Sequence, residues 1–84
     1  MGHYVYILKC NDNTLYTGYT TDIKRRVKEH NNGSGAKYTR GRTPVELYYS
    51  EEHKDKSQAM QREYQIKQMS RQQKLKLIKG ELDE

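Results

Sequence analysis

The chain has 84 residues, with sixteen Lys or Arg against eleven Asp or Glu. It is therefore one small domain of net charge +5, long enough to bury only about 60–65% of its unfolded surface. A single Cys and three His exclude an internal disulfide and any zinc-ligand spacing. No apolar run approaches the ~20 residues of a membrane span, and no signal-peptide core opens the chain, so a cytoplasmic setting is expected, with a polyanion such as nucleic acid as partner.

His3 to Lys9 is rich in β-branched and aromatic residues and reads as a buried or half-buried strand. Asn11-Asp12-Asn13 has turn chemistry, because Asn and Asp tolerate left-handed backbone and bond their own main chain. Thr14 to Thr20 resumes as a second strand. A three-residue loop would set Leu8 opposite Tyr16 and Tyr6 opposite Gly18, with all four on one face; a two-residue loop would place the tyrosines on opposite faces. Gly18 weakens its strand, and close approach of a ligand or another backbone is the usual reason. Asp22 is the expected N-cap of a helix from Ile23 to about Asn31. Ile23 and Val27 give it a narrow apolar stripe, Arg26 and His30 lie at i, i+4 beside it, and Gly33 ends it.

Gly33 to Arg42 is a glycine-rich basic loop that fits neither the P-loop nor the dinucleotide-binding spacing. It reads either as a phosphate grip through backbone amides, Lys37, Arg40 and Arg42, or as a solvated loop. A third strand is expected over Val45–Ser50, with Tyr48 and Tyr49 on opposite faces. Asp55-x-x-Gln58 and Ser70-x-x-Gln73 resemble capping boxes opening two further helices, the last running Arg71–Lys79 and stopped by Gly80, with Glu81–Glu84 frayed. On the first of these, Ala59, Met60, Ile66 and Met69 form an apolar stripe that contains Glu63. A carboxylate there needs a metal or another cation, Arg62 or a lysine, or access to water at the rim. On the last helix Leu75 and Ile78 are the expected inner face, with Leu77 beside them. No repeat or linker divides the chain, so one domain over residues 1–84 is expected, ordered from about 3 to 79.

Four elements follow in order over nearly the whole chain: Tyr4-Val5-Tyr6, Tyr16-Thr17-Gly18, Asp22-x-x-Arg25-Arg26-x-x-x-His30 and Arg62-Glu63-Tyr64. In this the sequence resembles the GIY-YIG nuclease domain, in the form of its small stand-alone bacterial members. Tyr4 stands where the first half-motif has glycine, Thr17 stands where the second has isoleucine, and a C-terminal asparagine found in some relatives has no counterpart. The resemblance implies an α/β protein of α+β type: a small three-stranded antiparallel sheet flanked by helices, in the order β-β-α-β-α-α. It implies divalent-metal-dependent cleavage of phosphodiester bonds in DNA, in settings such as repair and recombination. Carried over by position, it implies Tyr6, Tyr16, Arg26, His30 and Glu63 as catalytic residues, Gly18 as the motif glycine, and Glu63 as ligand of one Mg²⁺ or Mn²⁺.

In that reading Tyr6 acts as a phenolate base, its pKa lowered by Arg26 and the metal, with Tyr16 or His30 orienting the water or sharing the proton. Arg26 binds the phosphate oxygens. Gly18, Lys24, Arg25, Lys28, Lys37, Arg40 and Arg42 form the nucleic-acid surface, the cations meeting phosphates without reading sequence. Against this stands plain packing: with no Phe and no Trp, tyrosine supplies all the aromatic bulk, and Tyr48 and Tyr64 are read that way. His30 is alternatively a surface histidine. Two other functional classes stay open, a non-catalytic nucleic-acid-binding module and a nuclease subunit that needs a protein partner for targeting.

Overall fold

A computed structural model of the chain describes residues 2–81. Its elements are β1 (His3–Lys9), β2 (Leu15–Thr20), α1 (Ile23–Asn31), a short 3-10 turn (Lys37–Thr39), β3 (Glu46–His53), α2 (Lys56–Lys67) and α3 (Arg71–Ile78). The strands make one antiparallel sheet in the order β2-β1-β3, the α+β arrangement expected. Because β1 is central and covered on both faces, Val5-Tyr6-Ile7-Leu8 is buried throughout. Val5 and Ile7 meet Ala59, Ile66 and Leu77 from α2 and α3. Tyr6 and Leu8 face the other way, into a second core with Cys10 and Val45 that Tyr16 and Val27 help to close.

The hairpin loop has three residues. Cys10 N–H donates to Thr14 O at 2.9 Å, Asn13 N–H donates to Cys10 O at 2.9 Å, and Asn13 takes φ 69°, a conformation Asn adopts more readily than most residues. Asp12 accepts from both the N–H and the hydroxyl of Thr14. This loop length sets Leu8 opposite Tyr16 and Tyr6 opposite Gly18.

Strand β3 departs from expectation at both ends. It starts one residue later than Val45 and continues through Glu51, Glu52 and His53, which pair with Val5, Tyr4 and His3. Charged residues are workable in an edge strand. Glu51 turns toward α2, where Arg62 Nε donates to it at 3.0 Å and the Tyr49 hydroxyl also bonds it. Between Ile7, opposite Tyr49, and Leu8, opposite Leu47, the register slips, so Tyr48 is the extra residue of a bulge. Tyr49 joins the first core, whereas Tyr48 and Tyr64 are exposed. The packing role expected of those two is therefore not what they do.

Asp22, Asp55 and Ser70 cap α1, α2 and α3 as expected, each accepting from the N–H three residues on. Only Ser70 has a complete box, with the Gln73 side chain returning a bond. On α2, Ala59 and Ile66 are buried, with Met69 from just beyond the helix packed beside them, but Met60 is exposed. Glu63 lies within the stripe as expected, one turn after Ala59 and one turn before Ile66, with exposed Met60 at its outer edge. On α3, Leu77 is the buried residue and Leu75 and Ile78 are half-buried, the reverse of the expected order. Of the fraying expected over Glu81–Glu84, Glu81 is described, exposed but with its N–H donating to Lys76 O at 2.8 Å, and the rest lies outside the described residues. No helix among them is long and apolar enough to cross a membrane.

Candidate active site

Strand alternation puts Tyr6, Leu8, Tyr16 and Gly18 on one face of the sheet, and α1 brings Arg26 and His30, one turn apart, to that face. His30 is 0% exposed, so the surface-histidine alternative is excluded. Its Nε2 lies 2.9 Å from the Tyr6 hydroxyl and its Nδ1 lies 2.8 Å from Thr39 Oγ1. The His30 ring packs edge-on to Tyr16 with centroids 5.2 Å apart and to Tyr6 at 5.9 Å. Tyr38 stacks on Tyr16 at 5.7 Å, and the Arg42 guanidinium lies 4.2 Å over the Tyr38 ring.

Gly18 needs correction. A Cβ there would stand 2.5 Å from the Tyr6 hydroxyl oxygen and 3.0 Å from the Tyr16 ring. The room that the glycine leaves is filled by the Tyr6 phenol itself. Gly18 is buried and is a packing partner of the tyrosines, not a nucleic-acid contact.

The electrostatics also revise the expected base. Burial pushes the Tyr6 phenol up to about 12, although the nearby Arg26 guanidinium pulls the other way. At pH 7 roughly one such phenol in 10⁵ is ionised, so a standing phenolate is not the resting state. Burial likewise raises Tyr16, with Arg26 opposing and Glu63 adding to the rise. It holds His30 below its ordinary 6.5, with Arg26 lowering it further, so the imidazole is neutral near pH 7. The Arg26 guanidinium is half-buried and held by Glu29 Oε1 at 2.9 Å, which, with the nearby Tyr6 phenol, raises its pKa further.

Glu63 sits on α2, and its carboxylate acts on both tyrosine hydroxyls. Its side chain is 14% exposed, and its ion-pair partner among the described residues is Lys67, whose Nζ is 3.8 Å away. Arg62, the other cation expected there, goes to Glu51. A mostly buried carboxylate with one loose partner among the described residues, its charge felt by two phenols, suits a cation bound chiefly by phosphate and water, as Mg²⁺ is. Among the described residues no group of three or more His, Cys, Asp or Glu could hold a metal, so Glu63 would act alone.

The basic residues divide. Lys24, Lys28 and Lys37 are exposed. Arg25 is exposed and 3.8 Å from Glu29, and Arg40 donates to Gly33 O at 3.2 Å. Arg42 is taken up by surface neighbours, Asp12 at 3.2 Å and the Tyr38 face. Lys24, Arg25 and Lys28 rim a groove of about 700 Å³ floored by Ile23, Val27 and Leu47, which excludes the tyrosine cluster. Sequence reasoning missed Glu29, Gly35 and Thr39. Glu29 follows Arg26 at helical i, i+3 spacing and was readable as its anchor. Gly35 and Thr39 carry no local signal, because their role appears only when the loop folds back over His30.

Residues 2–76 match the family model described as the GIY-YIG catalytic domain. A UPF0213 protein of Natronomonas pharaonis is 62% identical over 79 residues, covering 94% of this chain and 93% of its own length. One of Staphylococcus haemolyticus is 63% identical over 76 residues, covering 90% and 93%. Among solved structures, the UPF0213 protein of Bacillus halodurans is 52% identical with a TM-score of 0.61, over 94% of this chain and 84% of that one. A protein of E. faecalis is 41% identical with a TM-score of 0.66, over 95% and 85%.

Proposed function

The chain belongs to the GIY-YIG catalytic-domain family, and from that membership we propose that it is a divalent-metal-dependent endonuclease. It hydrolyses phosphodiester bonds in DNA, nicking one strand at a time, in the service of repair or recombination and in the cytoplasm. One observation carries the reading: a buried phenol, Tyr6, 2.9 Å from the nitrogen of a neutral imidazole and under the charge of the Arg26 guanidinium.

That arrangement removes the need for a phenolate. As the attacking water approaches phosphorus, its proton passes to the Tyr6 oxygen while the phenol's own proton passes to His30 Nε2. The water oxygen bonds to phosphorus and the bond to the 3′ oxygen breaks, its electron pair leaving on that oxygen. Arg26, steadied by Glu29, donates to the non-bridging oxygens and holds them more tightly as charge builds. Tyr16, half-exposed beside Tyr6, orients the water. A divalent cation, Mg²⁺ or Mn²⁺, held by Glu63 would polarise the phosphoryl group and stabilise the leaving oxygen. Lys24, Arg25, Lys28, Lys37 and Arg40 hold the phosphate backbone on either side.

The test is a supercoiled plasmid with Mg²⁺, compared with Tyr6→Phe, His30→Gln and Glu63→Gln, then branched, flapped and single-stranded DNA and RNA. Each variant is expected to nick at least ~10²-fold more slowly. If the wild type nicks no faster than the variants across metals and salt, the enzyme reading fails. Salt-sensitive binding without cleavage would mean a binding module. Cleavage only with a second protein would mean a subunit that needs a partner for targeting.

A further inference from the structure

The Gly33–Arg42 loop folds over the inner end of His30, and Thr39 is buried against the imidazole at 0% exposed. The fold allows this through Gly35, where a Cβ would stand 2.5 Å from His30 Nδ1 and 2.8 Å from its Cα. A neutral imidazole carries its proton on one nitrogen only, and the two choices do different work. With the proton on Nε2, His30 donates to Tyr6 and cannot take its proton. With the proton on Nδ1, Nε2 is a bare acceptor.

Two independent lines give the same answer. At the outer end, the neutral Tyr6 phenol carries a proton, and the nearby Arg26 guanidinium, which has only donors, cannot accept it. The phenol's own proton then needs an acceptor. Tyr6 is 1% exposed, and among the described residues His30 Nε2, at 2.9 Å, is the group that can accept it. A buried hydroxyl proton left without a partner gives up its bond to water and gains nothing in return. At the inner end, the Thr39 hydroxyl has one proton and it points at Ala36 O, 2.9 Å away, while the Thr39 N–H donates to the same carbonyl at 3.1 Å. That leaves a Thr39 lone pair to accept from Nδ1–H at 2.8 Å. The competing donor at Nδ1, the Ala36 N–H, is 3.4 Å away, beyond the usual range of such bonds.

We propose that Thr39 is a positioning residue that fixes His30 in its Nδ1–H form, so that bare Nε2 faces Tyr6 ready to take its proton. The use made of this lock rests on the nuclease reading; the lock itself does not.

The experiment is ¹⁵N-imidazole NMR of the full-length protein near neutral pH, with nicking assays alongside. In the wild type, His30 should show a protonated Nδ1 and a bare Nε2. Thr39→Val, which keeps the shape and removes the hydroxyl acceptor, should move the proton to Nε2. Thr39→Ser should restore the wild-type pattern. A wild-type ring protonated on Nε2, or an unchanged ring in Thr39→Val, overturns the proposal. If Thr39→Val does not fold, the wild-type and Thr39→Ser spectra decide, and Nε2–H in either overturns it. Where the plasmid is nicked, Thr39→Val should lower kcat by about 10² with KM little changed, and Thr39→Ser should recover most of it. Should no substrate be cut while the spectra are as expected, the lock stands and the nuclease reading falls.

Discussion

At the scale of single residues, the site depends on buried polar groups whose partners must be complete, and His30 makes that measurable. The fold holds its pKa below the ordinary 6.5, with burial the larger cause and Arg26 next. The native state therefore favours the neutral ring, and the stability this gives is fully present above pH 6.5. As the pH falls below that value, the unfolded chain takes up the proton first and stability drops. Urea unfolding between pH 7.5 and 5 should show a declining free energy that is shallower in His30→Gln; parallel curves would contradict the burial argument. Thr17 is the opposite case. It is 3% exposed on the Ile7 face, and its hydroxyl is buried with no hydrogen-bond partner among the described residues. Thr17→Val should stabilise the protein by about 1–2 kcal/mol, read from the urea midpoint at unchanged m-value. Tyr6, Tyr16, Arg26 and Glu63 were legible as a set because motif spacing survives in the sequence. What sequence reading missed at this scale is burial. It gave Gly18 to a phosphate where the Tyr6 phenol fills the space, and it weighed Arg26 on Tyr6, which does pull the phenol down, without the burial that raises it more.

Among the elements, helix α1 bears the heaviest demand, because one nine-residue helix presents both Arg26 and His30 to the tyrosine face. Its apolar hold on the sheet is narrow, with Val27 packed against the second core, so its N-terminal cap matters more than usual. Asp22 accepts from Arg25 N–H at 3.1 Å, with Thr20 Oγ1 in turn accepting from Asp22 N–H. Asp22→Ala should cost about 1 kcal/mol of stability and lower the nicking rate more than Ser70→Ala, which uncaps α3 far from the site by a similar amount. Equal loss of rate in the two would show that α1 needs no cap to aim its side chains. The caps and the hairpin loop were legible because they rest on chemistry between near neighbours in sequence. The C-terminal extension of β3 was not, because Glu51-Glu52-His53 becomes strand only by pairing with His3, Tyr4 and Val5. The bulge at Tyr48 and the rotation that buries Leu77 ahead of Leu75 are likewise set by contacts distant in the chain.

For the molecule as a whole, net charge says little until the cations are sorted by what already holds them. Lys24, Lys28 and Lys37 are exposed, Arg25 and Arg40 are exposed with one loose or single bond each, and Arg42 is taken up by Asp12 and Tyr38. Phosphate binding by the first five predicts a slope of log K against log salt of about −4 to −5 on duplex DNA, each neutralised phosphate contributing about −0.9. Lys24 and Lys28 lie one helical turn apart on α1 and should contact the backbone together. Lys24→Gln with Lys28→Gln is expected to flatten the slope by about 2 while leaving the urea midpoint nearly unchanged, since neither is in an ion pair among the described residues. Arg42→Gln should do the reverse: the slope stays almost as it was, while the midpoint falls, because the loop that covers His30 loses its tie to the hairpin. Fluorescence anisotropy of a labelled duplex from 50 to 200 mM salt, beside urea melts of the same variants, separates the two. A slope that responds to Arg42 and ignores Lys24 and Lys28 would move the nucleic-acid path off α1 and onto the far side of the tyrosine cluster.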